Sequence, residues 1–589
     1  MIERFEVDDP HDARVARGAT GLLRTFNDAG VITAPDVHVA ARVGELTGTP
    51  DDDVRLAVAL AVRAVRQGSV CVDLGAFLHG GDDDLPWPTD GWLDRVAASP
   101  LAASSVVQVE DGLLYLDRYW REEGQVRDDL LARSAAPAPP VDETRLAAMA
   151  ERLFPGEGYA EQRAAALAAS RQWTTVLTGG PGTGKTTTVA GLLALLTDQA
   201  ESLGRRSRVA LTAPTGKAAA RLQQAVEDAQ LGDRFSDADR DRLAGLEAST
   251  LHRLLGWRPG SSTRFRHHRG NKLPHDVVVV DETSMVSLTL MARLLEAVRP
   301  DARLVLVGDP DQLASVEAGA VLADLVGGLA PRWPDAVAEL RTTHRYGASI
   351  GALAEALRDG DADAVVELLR SGDPATTWVD PEADGALDRL GDLLLGHAME
   401  VRGAATAGDA EAAVAASDAH RLLCAHRDGP WGVQHWNRLV ERRLTDATGA
   451  PVGAAWGHEW YAGRPLLVTA NDYGLGLFNG DTGVVVRDGD ELVAVVAGAG
   501  AHTRYATSRL ADVETLHAMT VHKSQGSQAR EVTVLLPPDD SPLLTRELFY
   551  TAVTRAQERV RVVASEAAVR SAVAARVQRA TGLRQRLGL

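Results

Sequence analysis

Residues 174–187 read TTVLTGGPGTGKTT, an apolar run that passes directly into a glycine-rich turn. Apolar residues at helical spacing follow over 189–196, so the turn joins a strand to a helix. Glycine lets successive backbone N–H groups point inward around phosphate oxygens, where a Cβ atom would clash. A chance glycine-rich turn is the alternative, but it would not explain the strand and helix on either side. We therefore predict a phosphate-binding loop. Its residues are Gly179, Gly180, Pro181, Gly182, Thr183, Gly184, Lys185, Thr186 and Thr187.

The end of this loop carries its chemistry. Lys185 places a positive charge on the β and γ oxygens of a nucleoside triphosphate, and Thr186 offers a hydroxyl to Mg²⁺. We therefore predict that the chain uses ATP with Mg²⁺.

Length and composition describe a soluble multidomain protein. The 589 residues exceed what one core supports, and 45% of them are apolar. No apolar run approaches the roughly 18 residues of a membrane span. The net charge of −19 argues against coating of nucleic acid, but it leaves room for a strand held in an internal cleft. Cys71 and Cys424 are too few for a metal cage, and we expect buried thiols in a reducing cytoplasm.

Hydrophobic patterning predicts the architecture. Strands at 174–179, 208–213, 277–281 and 303–308 alternate with helices, which is typical of a parallel α/β sheet. The stretch 402–418 predicts a surface helical hairpin. Short strands between turns of the NG and DG type indicate a small β-barrel inserted in a second α/β unit. The N-terminal region reads as mixed α/β and ends in the linker SAAPAPPVD. We place the domains at 1–140, 141–345, 346–450 with 512–589, and 451–511.

Two acids follow the next apolar strand. Asp281 and Glu282 end the run VVVV, at the edge where open α/β sheets bind ligands. Asp281 would hold Mg²⁺, and Glu282 would orient or deprotonate the attacking water. Gln312 ends the strand after that and is a candidate sensor of the γ-phosphate. Solvated acids and a plain turn are the alternatives.

Two arginines complete the predicted catalytic set. Arg345 closes the first α/β unit, and Arg555 lies in the second. An arginine that meets the transferred phosphoryl group raises the rate roughly 10³- to 10⁵-fold. Either one alone is more often a surface residue, but two lobes that face one nucleotide would use both.

These motifs form an ordered series, which resembles the superfamily 1 DNA helicases and most of all their RecD family. The segments that carry the resemblance are YAEQRAA around Gln162, GGPGTGKTTT, LTAPTGKAAARL at 211–222, STLHRLLG at 249–256, VVVVDETSMV, VGDPDQLASVEAG at 307–319, LRTTHRYG at 340–347, RLLCAHRDGPWGVQHWN at 421–437, TLHAMTVHKSQGSQ at 515–528 and ELFYTAVTRA at 547–556.

The resemblance implies two RecA-like motor lobes, an SH3-like barrel and 5′→3′ translocation on single-stranded DNA. It also implies that Gln162 reads adenine. It places Thr215, His252, Thr520 and His522 against the DNA strand; the alternative for each is a helix cap or turn residue.

The interval 257–275 is locally basic, and the resemblance implies a β-hairpin there. Arg264, Arg266 and Arg269 would meet phosphate on it, or the segment is a solvated loop.

The resemblance further implies RecB-like and RecC-like partners in a heterotrimer, the exodeoxyribonuclease V of double-strand break repair and recombination. The N-terminal region would dock on a partner, and Tyr115, Tyr119 and Trp120 are either interface aromatics or core. No nuclease signature stands out, so cleavage would belong to a partner. A stand-alone helicase and a mainly structural or regulatory subunit remain as alternatives.

Overall fold

The computed structural model describes residues 4–5, 9, 11–80, 84–258, 264–342, 348–453, 457–472, 474–497 and 502–588. Within these residues, two sheets are parallel and two are antiparallel. The predicted α/β class with two parallel-sheet lobes and a separate mixed α/β N-terminal region is confirmed.

The N-terminal region packs helices around a three-stranded antiparallel sheet of order β1-β3-β2. Tyr115 of β3 pairs with Cys71 of β1. Tyr115 is buried, which decides in favour of its core role, while Tyr119 and Trp120 are half-buried against the same core. The elements are α1 (Gly21–Asp28), α2 (Ala34–Thr47), α3 (Asp52–Arg66), β1 (Cys71–Asp73), α4 (Gly75–Gly80), α5 (Trp92–Ala97), α6 (Pro100–Ala103), β2 (Val107–Glu110), β3 (Leu113–Leu116) and α7 (Asp117–Ser134).

The first α/β lobe is a six-stranded parallel sheet of order β6-β5-β7-β8-β4-β9. Helices cover both faces, so the central strands are largely buried, as the apolar VVVV of β7 and the fully buried β4 show. All four predicted strands are found within one residue of their expected bounds. The elements are α8 (Glu143–Leu153), α9 (Ala160–Arg171), β4 (Thr174–Gly179), α10 (Lys185–Ser202), β5 (Val209–Ala213), α11 (Gly216–Gln230), α12 (Asp237–Leu243), β6 (Ala248–Thr250), α13 (Leu251–Leu255), β7 (Val277–Val280), α14 (Leu288–Ala297), β8 (Arg303–Gly308), α15 (Val321–Leu329) and β9 (Val337–Leu340).

The second α/β lobe is a five-stranded parallel sheet of order β10-β19-β18-β11-β17. Its central strand β18 is flanked by β19 and β11 in parallel register. The predicted helical hairpin is confirmed as α18 and α19, which join through residues 407–409. The elements are α16 (Ala348–Asp359), α17 (Ala362–Arg370), β10 (Thr376–Val379), α18 (Ala386–Thr406), α19 (Ala410–Ala419), β11 (His420–Cys424), α20 (Val433–Thr448), β17 (Ala518–Thr520), β18 (Ala529–Leu535), α21 (Arg546–Val553), β19 (Ala556–Val563), α22 (Glu566–Ala574) and α23 (Leu583–Gly588).

A five-stranded antiparallel sheet is inserted between α20 and β17, in the order β15-β14-β13-β12-β16. Its last strand lies just beyond the predicted insertion, because β16 pairs with β12. The SH3-like character of this unit remains a prediction. The strands are β12 (Pro465–Val468), β13 (Thr482–Asp488), β14 (Glu491–Ala497), β15 (His502–Ala506) and β16 (Val513–Thr515).

The C-terminal segment returns to the N-terminal region. The Ala580 N–H donates to Ser69 Oγ over 3.1 Å, and the Val70 N–H donates to the Ala580 carbonyl over 2.9 Å. Arg586 is buried there, in an ion pair with Glu110 and 3.5 Å from Glu123. We call this contact of residues 579–587 with the N-terminal region and α15 the tail seam.

The cysteines and the helices can be compared with what the composition predicts. Both cysteines are free and buried. Among the helices of the described residues, none is long and apolar enough to cross a membrane.

Candidate nucleotide cleft and strand contacts

The loop that the sequence predicts to bind phosphate joins β4 to α10, as expected. Gly184 has φ +82°, the left-handed conformation that glycine adopts without strain, and α10 begins directly after it. A Cβ atom on Gly179 would lie 2.6 Å from the Leu340 carbonyl oxygen, so no larger residue fits there without movement. The loop therefore presents backbone N–H groups at a helix N-terminus, where anions bind.

Lys185 is hydrogen-bonded to its own loop. Its Nζ donates to the carbonyl of Gly180 over 2.9 Å and to that of Gly179. Burial lowers the pKa of Lys185, although the carboxylates of Asp309 and Glu282 counteract this. A phosphate would relieve the cost of burying the ammonium charge, because it supplies an opposite charge.

The two acids predicted after β7 face the same space. The Glu282 N–H donates to Asp281 Oδ1 over 2.9 Å, and Glu282 has φ +49°. A left-handed backbone is unfavourable for a residue with a side chain, and such strain concentrates at functional sites. Burial raises the pKa of Asp281 to about 6, and the neighbouring Glu282 adds to the rise. Both observations favour a site that a cation completes.

A cavity of about 450 Å³ lies between the two lobes, and these groups line it. Sequence analysis predicted most of its polar lining. The predicted residues that line it are Pro181, Gly182, Gly184, Lys185, Thr186, Thr187, Asp281, Glu282, Gln312 and Arg555. Two polar residues on its wall were quoted within motifs but given no role, namely Arg221 and Gln528.

A hydrogen-bond chain crosses from one lobe to the other beside this cavity. Arg555 Nη2 donates to Gln312 Oε1 over 3.0 Å, and Gln312 Nε2 donates to Asp309 Oδ2 over 2.9 Å. Tyr550 Oη, from the second lobe, donates to the same Asp309 oxygen over 3.1 Å. Asp309, Gln312, Tyr550 and Arg555 are all buried. The predicted sensor and the predicted second-lobe arginine are thus in direct contact.

A second set of contacts holds the same loop. The Leu313 N–H donates to Thr551 Oγ1 over 2.9 Å, and Gln525 Nε2 donates to the Leu313 carbonyl over 2.7 Å. The motif pattern of the sequence predicts no role for Tyr550, Thr551 or Gln525. Each lies inside a quoted motif of the second lobe, but motif order does not state which side chains reach across.

Two predicted nucleotide contacts need separate comment. Gln162 is buried, and its Nε2 donates to the Thr183 carbonyl of the loop over 3.3 Å, while the reading of adenine stays a prediction. Arg345 lies outside the described residues.

The predicted strand contacts lie where parallel strands end. Thr215 precedes α11 and accepts the Ala218 N–H over 3.2 Å, whereas Thr520 ends β17 and accepts the Lys523 N–H over 3.3 Å. His252 is exposed on α13, and His522 is half-buried after β17, where burial lowers its pKa. Thr215 therefore caps α11, and Thr520 stabilises the turn after β17. Neither role excludes a contact with a DNA strand.

The basic segment 257–275 forms isolated antiparallel bridges, Trp257 with Phe265 and His268 with Asn271. Residues 259–263 of the expected hairpin lie outside the described part of the chain. Arg269 forms an ion pair with Asp129 of α7, with distances of 2.8 and 2.9 Å. Arg264 and Arg266 are exposed. Of the three arginines, Arg269 is thus turned toward the N-terminal region.

The donor set for a cation is small. Within the described residues, no group of three or more His, Cys, Asp or Glu side chains could hold a metal ion. Thr186 and Asp281 nevertheless line the same cavity, which suits a cation that takes its other ligands from phosphate and water. The residues present thus fit Mg²⁺ bound together with a nucleotide.

Comparison with protein families agrees with this geometry. A profile described as the RecBCD enzyme subunit RecD, N-terminal domain, matches residues 28–114. An AAA domain profile matches residues 158–376, and a UvrD-like helicase C-terminal domain profile matches residues 515–563.

Curated relatives extend over the whole chain. The RecBCD enzyme subunit RecD of Mycolicibacterium smegmatis is 61% identical over 96% of this chain and 99% of its own length. Its counterpart from Mycobacterium tuberculosis is 59% identical over 98% of each chain. The ATP-dependent RecD2 DNA helicase of Deinococcus radiodurans is 34% identical over 83% of this chain and 60% of its own length.

Proposed function

Because the chain belongs to the RecD family of RecBCD enzyme subunits, we propose that it is the ATP-driven DNA helicase subunit of a RecBCD-type helicase–nuclease. The observation that carries this function is the cavity that both lobes line. A phosphate loop faces it from the first lobe and a buried arginine from the second. A triphosphate bound in this cavity would contact side chains of both lobes. Its hydrolysis would therefore change the contacts that hold the two lobes together.

In the proposed cycle, the lobes close on the triphosphate through Lys185, Arg555 and the predicted Arg345. Glu282 orients or deprotonates the attacking water. Loss of the terminal phosphate removes the charge that Gln312 and Arg555 face. The hydrogen bond between these two side chains would then distinguish the state with the terminal phosphate from the state without it.

Asp281 and Thr186 would hold Mg²⁺ with the nucleotide. The cation would neutralise charge on the phosphate oxygens and make ionised Asp281 favourable despite its burial. Gln162 would read adenine from behind the loop.

Thr215 and His252 on the first lobe, with Thr520 and His522 on the second, would alternate their grip on single-stranded DNA. The exposed Arg264 and Arg266 would add phosphate contacts, and Arg269 would join them only by leaving Asp129. The 5′→3′ direction is part of this proposal and rests on family membership.

The same proposal includes RecB-like and RecC-like partners and a cytoplasmic location, which two buried free thiols favour. Sequence identity favours the complex-bound subunit over a stand-alone helicase. The chain is 61% identical to the RecD subunit of Mycolicibacterium smegmatis but 34% identical to the RecD2 helicase of Deinococcus radiodurans. A mainly structural subunit is disfavoured, because Lys185 and Glu282 are both retained in the cavity.

The test is Lys185→Gln in the chain co-purified with its partners. Unwinding of a duplex with a 5′ overhang should be lost, because the ammonium on the β and γ oxygens is gone. Arg206→Gln, in an exposed loop before β5 at the opposite edge of the sheet, is the control and should leave unwinding intact. Unchanged 5′-overhang unwinding by Lys185→Gln would exclude the motor role. Robust unwinding by the chain purified alone would instead favour the stand-alone helicase.

A further inference from the structure

Arg221 is a charged residue on the wall of the nucleotide cavity that the cycle above does not use. It lies in the second turn of α11, the helix that follows β5, and is half-buried. The cavity wall that includes it also includes Lys185, Asp281 and Glu282. Lys185, Asp281 and Glu282 are the groups predicted to meet the phosphates, and Arg221 shares their cavity.

The guanidinium of Arg221 has no partner within the described part of the chain. No hydrogen bond and no ion pair to it occurs there, whereas Arg555 across the cavity donates to Gln312, Thr551 and Ser527. An arginine offers five N–H donors in a fixed fork that matches phosphate, and leaving them unused in a partly buried position is unfavourable.

Arg221 also borders a second space. A groove of about 1100 Å³ runs between α11, α19 and the inserted sheet, and its lining includes Lys217, Asp418 and Asp481. Arg221 and Gln528 line both this groove and the nucleotide cavity. One residue from each lobe thus forms the partition between the two spaces.

We propose that Arg221 binds the terminal phosphate of the nucleoside triphosphate, as a first-lobe arginine in addition to Arg345 and Arg555. This inference rests on the proposed function. The cavity wall holds three cationic side chains, Lys185, Arg221 and Arg555, and two carboxylates, Asp281 and Glu282. A triphosphate with a bound divalent cation is still anionic, so an otherwise unpaired guanidinium at the phosphate end complements it.

The position of Arg221 assigns it to the γ-phosphate. Phosphates α and β lie against the backbone of the loop and the N-terminus of α10. The γ-phosphate extends beyond the loop toward the acids after β7, and Arg221 lines the same cavity as these acids, Asp281 and Glu282. A diphosphate leaves this contact unmade, which provides the test.

The experiment compares two nucleotides on the full-length chain carrying Arg221→Gln, which removes the charge and the fork. Fluorescent ADP and a fluorescent non-hydrolysable ATP analogue are titrated at equilibrium with Mg²⁺. Affinity for the analogue should fall about tenfold while that for ADP changes less than about twofold, since only the γ contact is lost. The turnover number should fall roughly 30- to 100-fold, less than the largest arginine effects because Lys185 and Arg555 remain.

Two further variants define what the result means. Arg221→Lys keeps the charge without the fork and should recover part of the analogue affinity. Arg206→Gln, the exposed arginine of the same lobe, should change neither affinity. Unchanged ADP binding by Arg221→Gln also shows that the loop is folded.

An equal loss of affinity for both nucleotides would overturn the proposal, because Arg221 would then only support the loop. Unchanged affinity for the analogue would overturn it as well. Failure of the motor hypothesis looks different: the unmodified chain would then show no strand-stimulated ATP turnover, while the two titrations would still decide whether Arg221 senses the γ-phosphate.

Discussion

The nucleotide cleft and the tail seam both join segments more than 200 residues apart in the chain, and both bury charged side chains. In the cleft, Lys185 and Asp281 face a cavity of about 450 Å³. In the seam, Arg586 and Glu123 face each other, and Thr581 Oγ1 donates to Glu123 over 2.8 Å. Charges that face a cavity are arranged for a ligand, whereas charges that face each other hold two parts of the chain together. Substitution should therefore affect turnover in the cleft and stability in the seam.

The largest expected effect is on stability, from Arg586→Ala in the seam. The substitution leaves Glu123 buried without its cation, which typically costs about 3–5 kcal/mol. It also removes a guanidinium that lies 5.0 Å from the centre of the Tyr115 ring. The Ala580 and Gly582 amides donate to Ser69 and Glu123. Their hydrogen exchange should accelerate by the factor to which this loss of stability corresponds.

Gln585→Ala, an exposed position on the same short helix, is the matched control and should leave exchange unchanged. ATP turnover per folded molecule should stay within about twofold in both variants, because sites without shared partners behave independently. A large loss of turnover with slow amide exchange would show that the seam acts on the cleft, and the contrast between the two regions would fail.

The two regions also differ in how far the sequence predicted them. The strands around the phosphate loop were predicted closely, because parallel strands buried on both faces are short apolar runs between glycine-rich turns. Lys185, Asp281 and Glu282 follow such strands, so their shared edge was predictable. Arg221 was not singled out, because a helix position does not state which neighbour it faces.

The tail seam was not predicted at all. Residues 579–587 have no strand or phosphate-loop pattern, and their partners Ser69, Glu110 and Glu123 lie more than 450 residues earlier. Such pairing depends on the tertiary arrangement, which local propensity does not encode. For the same reason, the sequence does not decide between interface and core for Tyr115, Tyr119 and Trp120.

The next effect is on turnover, from Glu282→Gln in the cleft. An amide cannot accept the proton of the attacking water, so turnover should fall at least about 100-fold, which corresponds to about 2.7 kcal/mol. Nucleotide affinity should persist because the loop and Lys185 are unchanged. Strand-stimulated phosphate release and nucleotide titration measure the two quantities separately.

Glu317→Gln, an exposed acid of the same lobe, is the control. The change from Glu to Gln keeps side-chain size, so the melting temperature should be unaffected. Near-normal turnover would show that Glu282 does not activate the attacking water. A marked loss of stability would show that Glu282 is a structural acid, as Glu123 is in the seam.

The smallest effect is a dependence of seam stability on pH, which Asp324 of α15 should produce. Burial raises the pKa of Asp324 from 3.8 to about 7, and Glu123 adds to the rise, while Thr581 and Arg584 oppose it. Between these two values the folded chain binds more protons than the unfolded chain. Stability therefore falls as pH rises through this window, by roughly 2 kcal/mol between pH 5.5 and 8.

Asp324→Asn imitates the protonated carboxyl at every pH. The variant should match the parent near pH 5.5 and melt at a higher temperature at pH 8, where the parent bears a buried charge. Asp539→Asn, in an exposed loop, should follow the parent at both values. If Asp324→Asn instead lowered the melting temperature at pH 8, ionised Asp324 would be stabilising the seam through Arg584 and Thr581. The seam would then depend on a further ion pair rather than on a neutral acid, and the sign of its pH dependence would be reversed.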